Sequence, residues 1–169
     1  MGAFIVAEIF SPPRVGPIAE KFGLKHGFSL DFTTLDENGE PWDFTRRSMR
    51  TKAWNLIETT EPDIIIGSPP CKMFSILQNL GKKTDTEARR QAMKQAISHI
   101  EFCMKIYKHQ IERGKFFMHE HPVAASSWNL DCVRQILAMK DVTTVTTDMC
   151  MHGLVAKDSL GTNPAQKRT

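Results

Sequence analysis

Cysteine is scarce, with four in 169 residues, and Cys71, Cys103, Cys132 and Cys150 are widely spaced with no C-x-x-C pair among them. That spacing argues against a zinc site and against a disulfide framework. Three of the four stand in apolar surroundings and read as core residues; Cys71 does not. Long hydrophobic runs are missing too, so no segment is expected to cross a membrane. The opening residues Met1 to Glu8 have neither a basic region nor a cleavage pattern, and the expectation is a soluble intracellular protein of the cytoplasm or nucleus of a host. Charge of one sign is weak. A net +3 permits nucleic-acid binding but lacks the dense basic face of a dedicated binder. The one basic run, Arg46, Arg47, Arg50 and Lys52, reads as a solvated helix face. No repeat and no low-complexity linker interrupts the chain. With 41% hydrophobic residues it suits a single domain over residues 1–169, with an irregular tail over 155–169.

What is present alternates. Phe4 to Phe10 is apolar apart from Glu8 and runs into Ser11-Pro12-Pro13, a buried strand ending in a turn. Val15, Ile18, Ala19 and Phe22 follow at helical spacing, with Gly23 or Gly27 to end the helix. Phe28 to Thr33 alternates as a second strand. Beyond the turn-rich Asp36 to Pro41, Met49, Ala53, Leu56 and Ile57 mark a helix that Thr45 is placed to cap. Asp63 to Gly67, with three consecutive isoleucines, reads as a strand covered on both faces. A polar mobile loop is expected between Ser75 and Thr86. A long helix then carries Ile97, Ile100, Met104, Tyr107 and Ile111 on one face and ends near Gly114. Lys115 to Met118 predicts a strand, Trp128 to Leu137 a helix started by Ser126 or Ser127, and Val142 to Thr147 a last strand. His152-Gly153 marks a turn. The alternation predicts an α/β doubly wound, mostly parallel sheet.

Ligands in such sheets bind beyond the carboxyl ends of the strands. The residues just after each predicted strand are Ser11 to Arg14, Asp31, Ser68 to Cys71, His119 to Pro122, and Asp148. A thiol, several carboxylates and two histidines are thus brought to one edge.

The segment Pro62-Asp63-Ile64-Ile65-Ile66-Gly67-Ser68-Pro69-Pro70-Cys71-Lys72-Met73-Phe74-Ser75 resembles the Pro-Cys motif of DNA cytosine-C5 methyltransferases, G-S-P-P-C-Q-x-F-S. Phe116 to Pro122 is similar to the strand leading to that family's Glu-Asn-Val motif, with Glu120 on the glutamate and His121 on the asparagine. The resemblance implies a Rossmann-like fold of the S-adenosylmethionine-dependent type. It makes Cys71 the nucleophile that adds to C6 of cytosine as a thiolate, and Glu120 the acid at N3, which asks for a carboxyl held protonated near neutral pH. Pro70, Ser75, His121 and Arg168 fall on the substrate side, and duplex DNA implies base flipping. The cofactor implied is S-adenosylmethionine, with Phe10, Ser11, Arg14, Asp31, Asp43, Ser68 and Pro69 around it. Asp31 stands where this fold holds ribose hydroxyls, and Asp43 resembles the aspartate that meets the adenine amino group.

Departures from the family are local. Glu8 and Phe10 fit its first motif, D-L-F-x-G-x-G-G, but Pro12, Pro13 and Arg14 replace glycines that allow close backbone approach. Gln166-Lys167-Arg168 only echoes the family's Gln-x-Arg-x-Arg motif, and no target-recognition domain follows. The implied partner is nucleic acid, DNA before RNA, and three expectations stand open for target recognition: the chain is a fragment, a partner chain supplies the DNA-reading surface, or the substrate is not duplex DNA. The variant motifs also resemble, more loosely, methylase-like segments of phage and mobile-element proteins. Two other classes stand beside methyl transfer. One is an inactive relative that binds nucleic acid or protein. The other is a thiol enzyme in which His119 or His121 activates Cys71. No metal site is expected, since His119 and His121 alone supply too few ligands.

Overall fold

A computed structural model describes residues 2–75, 86–158, 161–164 and 167–169. The loop expected between Ser75 and Thr86 lies almost wholly outside them, as does Gln166. Four parallel strands, β1 (Ile5–Ile9), β2 (Lys25–Leu30), β3 (Ile64–Gly67) and β4 (Phe116–His119), form one sheet in the order β2-β1-β3-β4. Helix α1 (Gly16–Ala19) with a following 3-10 turn joins β1 to β2, α2 (Arg47–Thr60) joins β2 to β3, and α3 (Glu87–Glu112) joins β3 to β4. The short α4 (Asp131–Leu137) follows β4 and packs with α3.

Strand alternation sorts the core. Ala7, Ile9 and Ile65 face one side and cluster with Met49, Ala53 and Ile57 of α2 and with Ile100, Cys103, Met104 and Tyr107 of α3. Val6 and Ile66 face the other side and meet Ala19 of α1. The two crossovers from β1 to β2 and from β2 to β3 therefore lie on opposite faces. The chain steps one way from β1 to β2 and the other way to β3, so the switch point of the sheet falls between β1 and β3. All three central isoleucines of β3 are used, two on one face and one on the other, which is why the strand reads as a continuous apolar run.

Gly67 sets the distance between sheet and helix. A Cβ on Gly67 would stand 2.0 Å from the hydroxyl of Tyr107. That ring stacks on Phe117 at 4.6 Å and its hydroxyl pairs with Nδ1 of His119 at 3.1 Å. Gly23, at φ 77°, closes the turn after α1 in the left-handed region.

Several expected features are corrected. Val142 to Thr147 is not a strand: Val145 is 80% exposed, and the segment's ladder-like contact is Thr147 with Thr169 through both backbone bonds. Its β-branched residues have the propensity but no sheet to fill. Residues 155–169 are not simply irregular, because β5 (Val155–Asp158) and β6 (Gly161–Pro164) pair as an antiparallel hairpin. Thr45 does not cap α2; the N-cap position is Arg46, which makes no capping bond with its side chain. Ser126 to Asn129 forms a 3-10 turn, and α4 starts after Leu130 rather than at a serine cap. The stripe on α1 is only partly buried, since Ala19 is enclosed while Phe22 is 78% exposed. No helix among the described residues is long and apolar enough to cross a membrane.

The Gly67→Ala variant is expected to lose about 1–3 kcal/mol of stability by overpacking against Tyr107. Urea denaturation checks this, and the double variant with Tyr107→Phe should recover part of the loss. Wild-type stability in Gly67→Ala would show that α3 is not held at this distance.

Candidate active site

Hydrogen bonds of the sheet continue one residue past each strand and set the register of the turns beyond. Phe10 N–H donates to the Leu30 carbonyl, Ser68 N–H to that of Ile9, and Glu120 N–H to that of Gly67. Three of the predicted site positions are thereby locked at the carboxyl edge. Phe10 takes φ 55°, a conformation costing a non-glycine residue on the order of 1–3 kcal/mol. The enclosing contacts of its ring with Phe44 and His99, at 4.7 and 5.1 Å between centroids, hold it there.

Glu8 organises the loop after β1. Its buried carboxylate accepts from the N–H groups of Arg14 (3.2 Å), Val15 (3.1 Å) and Gly16 (2.9 Å), and from the hydroxyls of Ser11 (2.9 Å) and Ser29 (3.1 Å). Burial by itself would raise the pKa. The Gly16 and Val15 N–H groups and the two serine hydroxyls outweigh it and hold the carboxyl below its ordinary value. A carboxylate with this many donors is an anchor for the loop, and the loop N–H groups it consumes are closed to a ligand.

A cleft of about 390 Å³ opens at the switch point, within the range of small-molecule sites. Phe10, Ser11, Pro12 and Arg14 line it from β1, Asp31 and Thr33 from β2, Ser68 to Cys71 from β3, and Glu120 from β4. The turn that presents Cys71 is fixed by two prolines before it and by a 3-10 turn after it, Lys72–Phe74, in which Phe74 N–H bonds the Cys71 carbonyl at 2.9 Å and the Phe74 ring is buried. Asp31 uses Oδ1 to receive the N–H and hydroxyl of Thr33 at 2.9 and 2.7 Å.

Glu120 differs from its expected state. Its Oε1 accepts from Lys167 Nζ at 3.0 Å and from the hydroxyl of Thr169. Burial pushes its pKa up, but the Thr169 and Lys167 donors prevail and lower it. It stands in this structure as a carboxylate rather than as a protonated acid. The Thr169 hydroxyl also bonds the His121 carbonyl at 2.9 Å.

The histidines on either side turn away from the cleft. Their rings stack on each other at 5.3 Å and 8° between planes, and both meet Trp128 edge-on. His121 is 1% exposed, and neither of its ring nitrogens has a hydrogen-bond partner among the described residues. Burial lowers the pKa of His119 to about 3, with His121 beside it adding in the same sense, and lowers that of His121 to about 4. Both rings are neutral. His121 thus does not orient Glu120 through its ring, and no imidazole bonds the Cys71 thiol among the described residues, which removes the geometry that a histidine-activated thiol enzyme requires. No third metal-ligating side chain joins the pair among the described residues.

Of the expected residues, Phe10, Ser11, Arg14, Asp31, Ser68, Pro69, Pro70, Cys71 and Glu120 share the cleft. Asp43, Ser75, His121 and Arg168 do not line it. Asp43 receives the N–H and hydroxyl of Thr45, which with burial opposed leaves its pKa lowered. Arg168 forms a two-point ion pair with Asp148 at 2.9 and 3.0 Å. Thr33 and Thr169 were invisible in the sequence, and Lys167 was visible only as part of a faint motif. No family model matches the chain, and no curated protein matches it.

Neutral buried histidines make stability depend on pH. Both bind protons more readily unfolded than folded, so their contribution is complete above the unfolded pKa of about 6.5 and is lost as pH falls from there towards 4 and 3. His99, also lowered by burial, acts in the same direction. The thermal midpoint is expected to drop between pH 7 and 5, and to drop less in His121→Phe. A midpoint level across that window would contradict the neutral, buried assignment.

Proposed function

We propose that the cleft carries methyl transfer from S-adenosylmethionine to C5 of a cytosine base, in DNA, through covalent addition of the Cys71 thiolate at C6, on a fold of the methyltransferase type. The observation that carries this reading is the assembly in one cleft of Cys71 on its Pro-Pro turn, Glu120 after the neighbouring strand, and Asp31 and Arg14 from the other two strands. Thiol and carboxyl serve the base, and the remaining pair serves a cofactor with a ribose diol and a carboxylate.

The donor set suits that cofactor. Asp31 offers carboxylate oxygens to ribose hydroxyls, Arg14 a guanidinium to a carboxylate, and Phe10 and Pro12 apolar surface. The N–H groups of Arg14, Val15 and Gly16 take no part, being held by Glu8. S-adenosylmethionine supplies an electrophilic methyl group on a sulfonium. Addition of the Cys71 thiolate at C6 would move ring electrons towards C5 and make that carbon nucleophilic towards the methyl group, with S-adenosylhomocysteine as the leaving group. Removal of the C5 proton by a solvent base would then send its bonding pair into the C5–C6 bond, break the carbon–sulfur bond and return the thiolate. Glu120 would answer the charge at N3 after taking a proton from solvent, against the Lys167 and Thr169 donors that hold it ionised. The position of Lys167, within the segment that echoes Gln-x-Arg-x-Arg, supports the reading. A second reading, a related module that binds nucleic acid or protein without turnover, is favoured by the ionised Glu120 and by the loop that Glu8 closes.

Calorimetric titration with S-adenosylmethionine and S-adenosylhomocysteine is expected to show micromolar binding. Binding of neither would leave the second reading. Asp31→Ala should weaken cofactor affinity at least tenfold, by loss of its bonds to the ribose; an unaltered Kd would take Asp31 out of the site. Cys71→Ser should reduce methylation of cytosine oligonucleotides to background while folding and cofactor affinity persist. Activity retained in that variant would end the nucleophile assignment.

A further inference from the structure

A second concavity, about 320 Å³, lies between α2 and α3 and is lined by Arg47, Arg50 and Lys105, with Trp54 and Phe102 as aromatic walls and Glu101 as its one acid. The basic run seen in the sequence divides here. Arg46 pairs with Glu40 at 2.6 Å, and Lys52 is held by Asp36 and Glu37. Those two cations are spent on the loop before α2. Arg47, Arg50 and Lys105 have no carboxylate in ion-pair range among the described residues.

Arg50 is the fixed member. Its Nη1 donates to the Ser98 hydroxyl at 2.8 Å, its Nε donates to the Phe44 carbonyl, and its guanidinium lies over the Phe102 ring at 5.4 Å. Three neutral partners immobilise a partly buried cation without neutralising it. Burial accordingly lowers its pKa, and Glu101 opposes that only at a distance. Arg47 lies one helical turn before Arg50 on the same face, a like-charge pair that disfavours the helix unless an anion stands between them. Lys105 approaches from α3. A planar fork and two flexible cations around an aromatic wall match a phosphodiester chain with a base beside it. They match an acidic peptide less well, because Trp54, which packs on His109 at 5.0 Å between centroids and also lines the groove, offers ring surface suited to a base rather than to a carboxylate.

We propose that this groove binds a nucleic-acid strand, with Arg47, Arg50 and Lys105 on its phosphates and Trp54 beside a base. The groove lies one layer of side chains behind the cleft: Phe10 lines the cleft, packs on Phe44 and His99, and those residues adjoin the carbonyl and hydroxyl that hold Arg50. The inference does not depend on the reaction assigned to the cleft.

The test is fluorescence anisotropy of a labelled single-stranded oligonucleotide and of its duplex, across a salt series. Arg47→Gln/Lys105→Gln removes two exposed side chains and leaves Arg50 and its bonds in place. It should weaken single-strand binding roughly tenfold or more, and reduce the slope of log affinity against log salt by about 1.4, two phosphate contacts at about 0.7 each. Lys21→Gln/Lys25→Gln, which removes the same charge from the α1 side, should do neither. Trp54→Leu should weaken the single strand more than the duplex. Equal effects of the two double variants, or unchanged affinity and slope in the groove variant, would overturn the proposal. So would an effect of the groove variant on inorganic phosphate binding alone, with the oligonucleotide unaffected.

Discussion

Gly67 is where the sheet, the long helix and the cleft are tied together. Its backbone pairs with Ile9 on one side and His119 on the other, so three parallel strands end at the same level. Its carbonyl takes the N–H of Glu120, and its missing side chain admits the hydroxyl of Tyr107, which in turn bonds His119. Move Gly67 by one residue and the turn of Cys71, the carboxylate of Glu120 and the seat of α3 all shift together. In a parallel sheet the period of two makes such a slip reverse every side chain. The register is therefore what turns a strand-end thiol and a strand-end carboxylate, 49 positions apart in the chain, into members of one cleft.

Glu8 does for the loop what Gly67 does for the strands. A turn rich in prolines has few N–H groups to satisfy, because Pro12 and Pro13 carry none. The next three, on Arg14, Val15 and Gly16, all reach the Glu8 carboxylate. Those three backbone donors are thereby accounted for inside the protein. A glycine loop would instead bring free backbone donors to a ligand. Recognition at this end of the cleft passes to side chains, Arg14 and Asp31 above all, and the carboxylate that closes the loop also fixes the place from which Arg14 reaches out.

The architecture was legible in the sequence because its strongest signals are those of burial. Three isoleucines before a Gly-Ser-Pro-Pro turn mark a two-faced strand, and Ile100, Met104 and Tyr107 mark the inner face of α3. Those signals also placed the cleft, since strand ends in a parallel sheet share an edge. What escaped notice depends on contacts far apart in the chain. Val142 to Thr147 has strand composition, yet among the described residues its ladder-like pairing is limited to Thr147 with Thr169. The hairpin of β5 and β6 is hidden by the shortness of its two four-residue strands and by Gly161 and Pro164 at the ends of β6. The state of Glu120 is set by Lys167 and Thr169, which no local pattern connects to it. Asp43 and Arg168 have the right chemistry at the wrong place, each held by a partner, Thr45 or Asp148, that only the fold reveals.

The end of β4 shows how one chain direction creates two electrostatic environments. His119, Glu120 and His121 alternate, so the two rings fall on one side and the carboxylate on the other. On the ring side, Tyr107, Trp128 and Phe74 exclude water, and burial keeps both imidazoles neutral. On the carboxylate side, an ammonium and a hydroxyl keep Glu120 ionised. A proton arriving at this strand end is thus refused by the histidines on both sides. Glu120 is left as the acceptor at this strand end, and the Lys167 and Thr169 bonds to its Oε1 oppose the uptake of a proton. Any ligand that needs a neutral Glu120 must therefore bind strongly enough to offset the two donors that favour the ionised form.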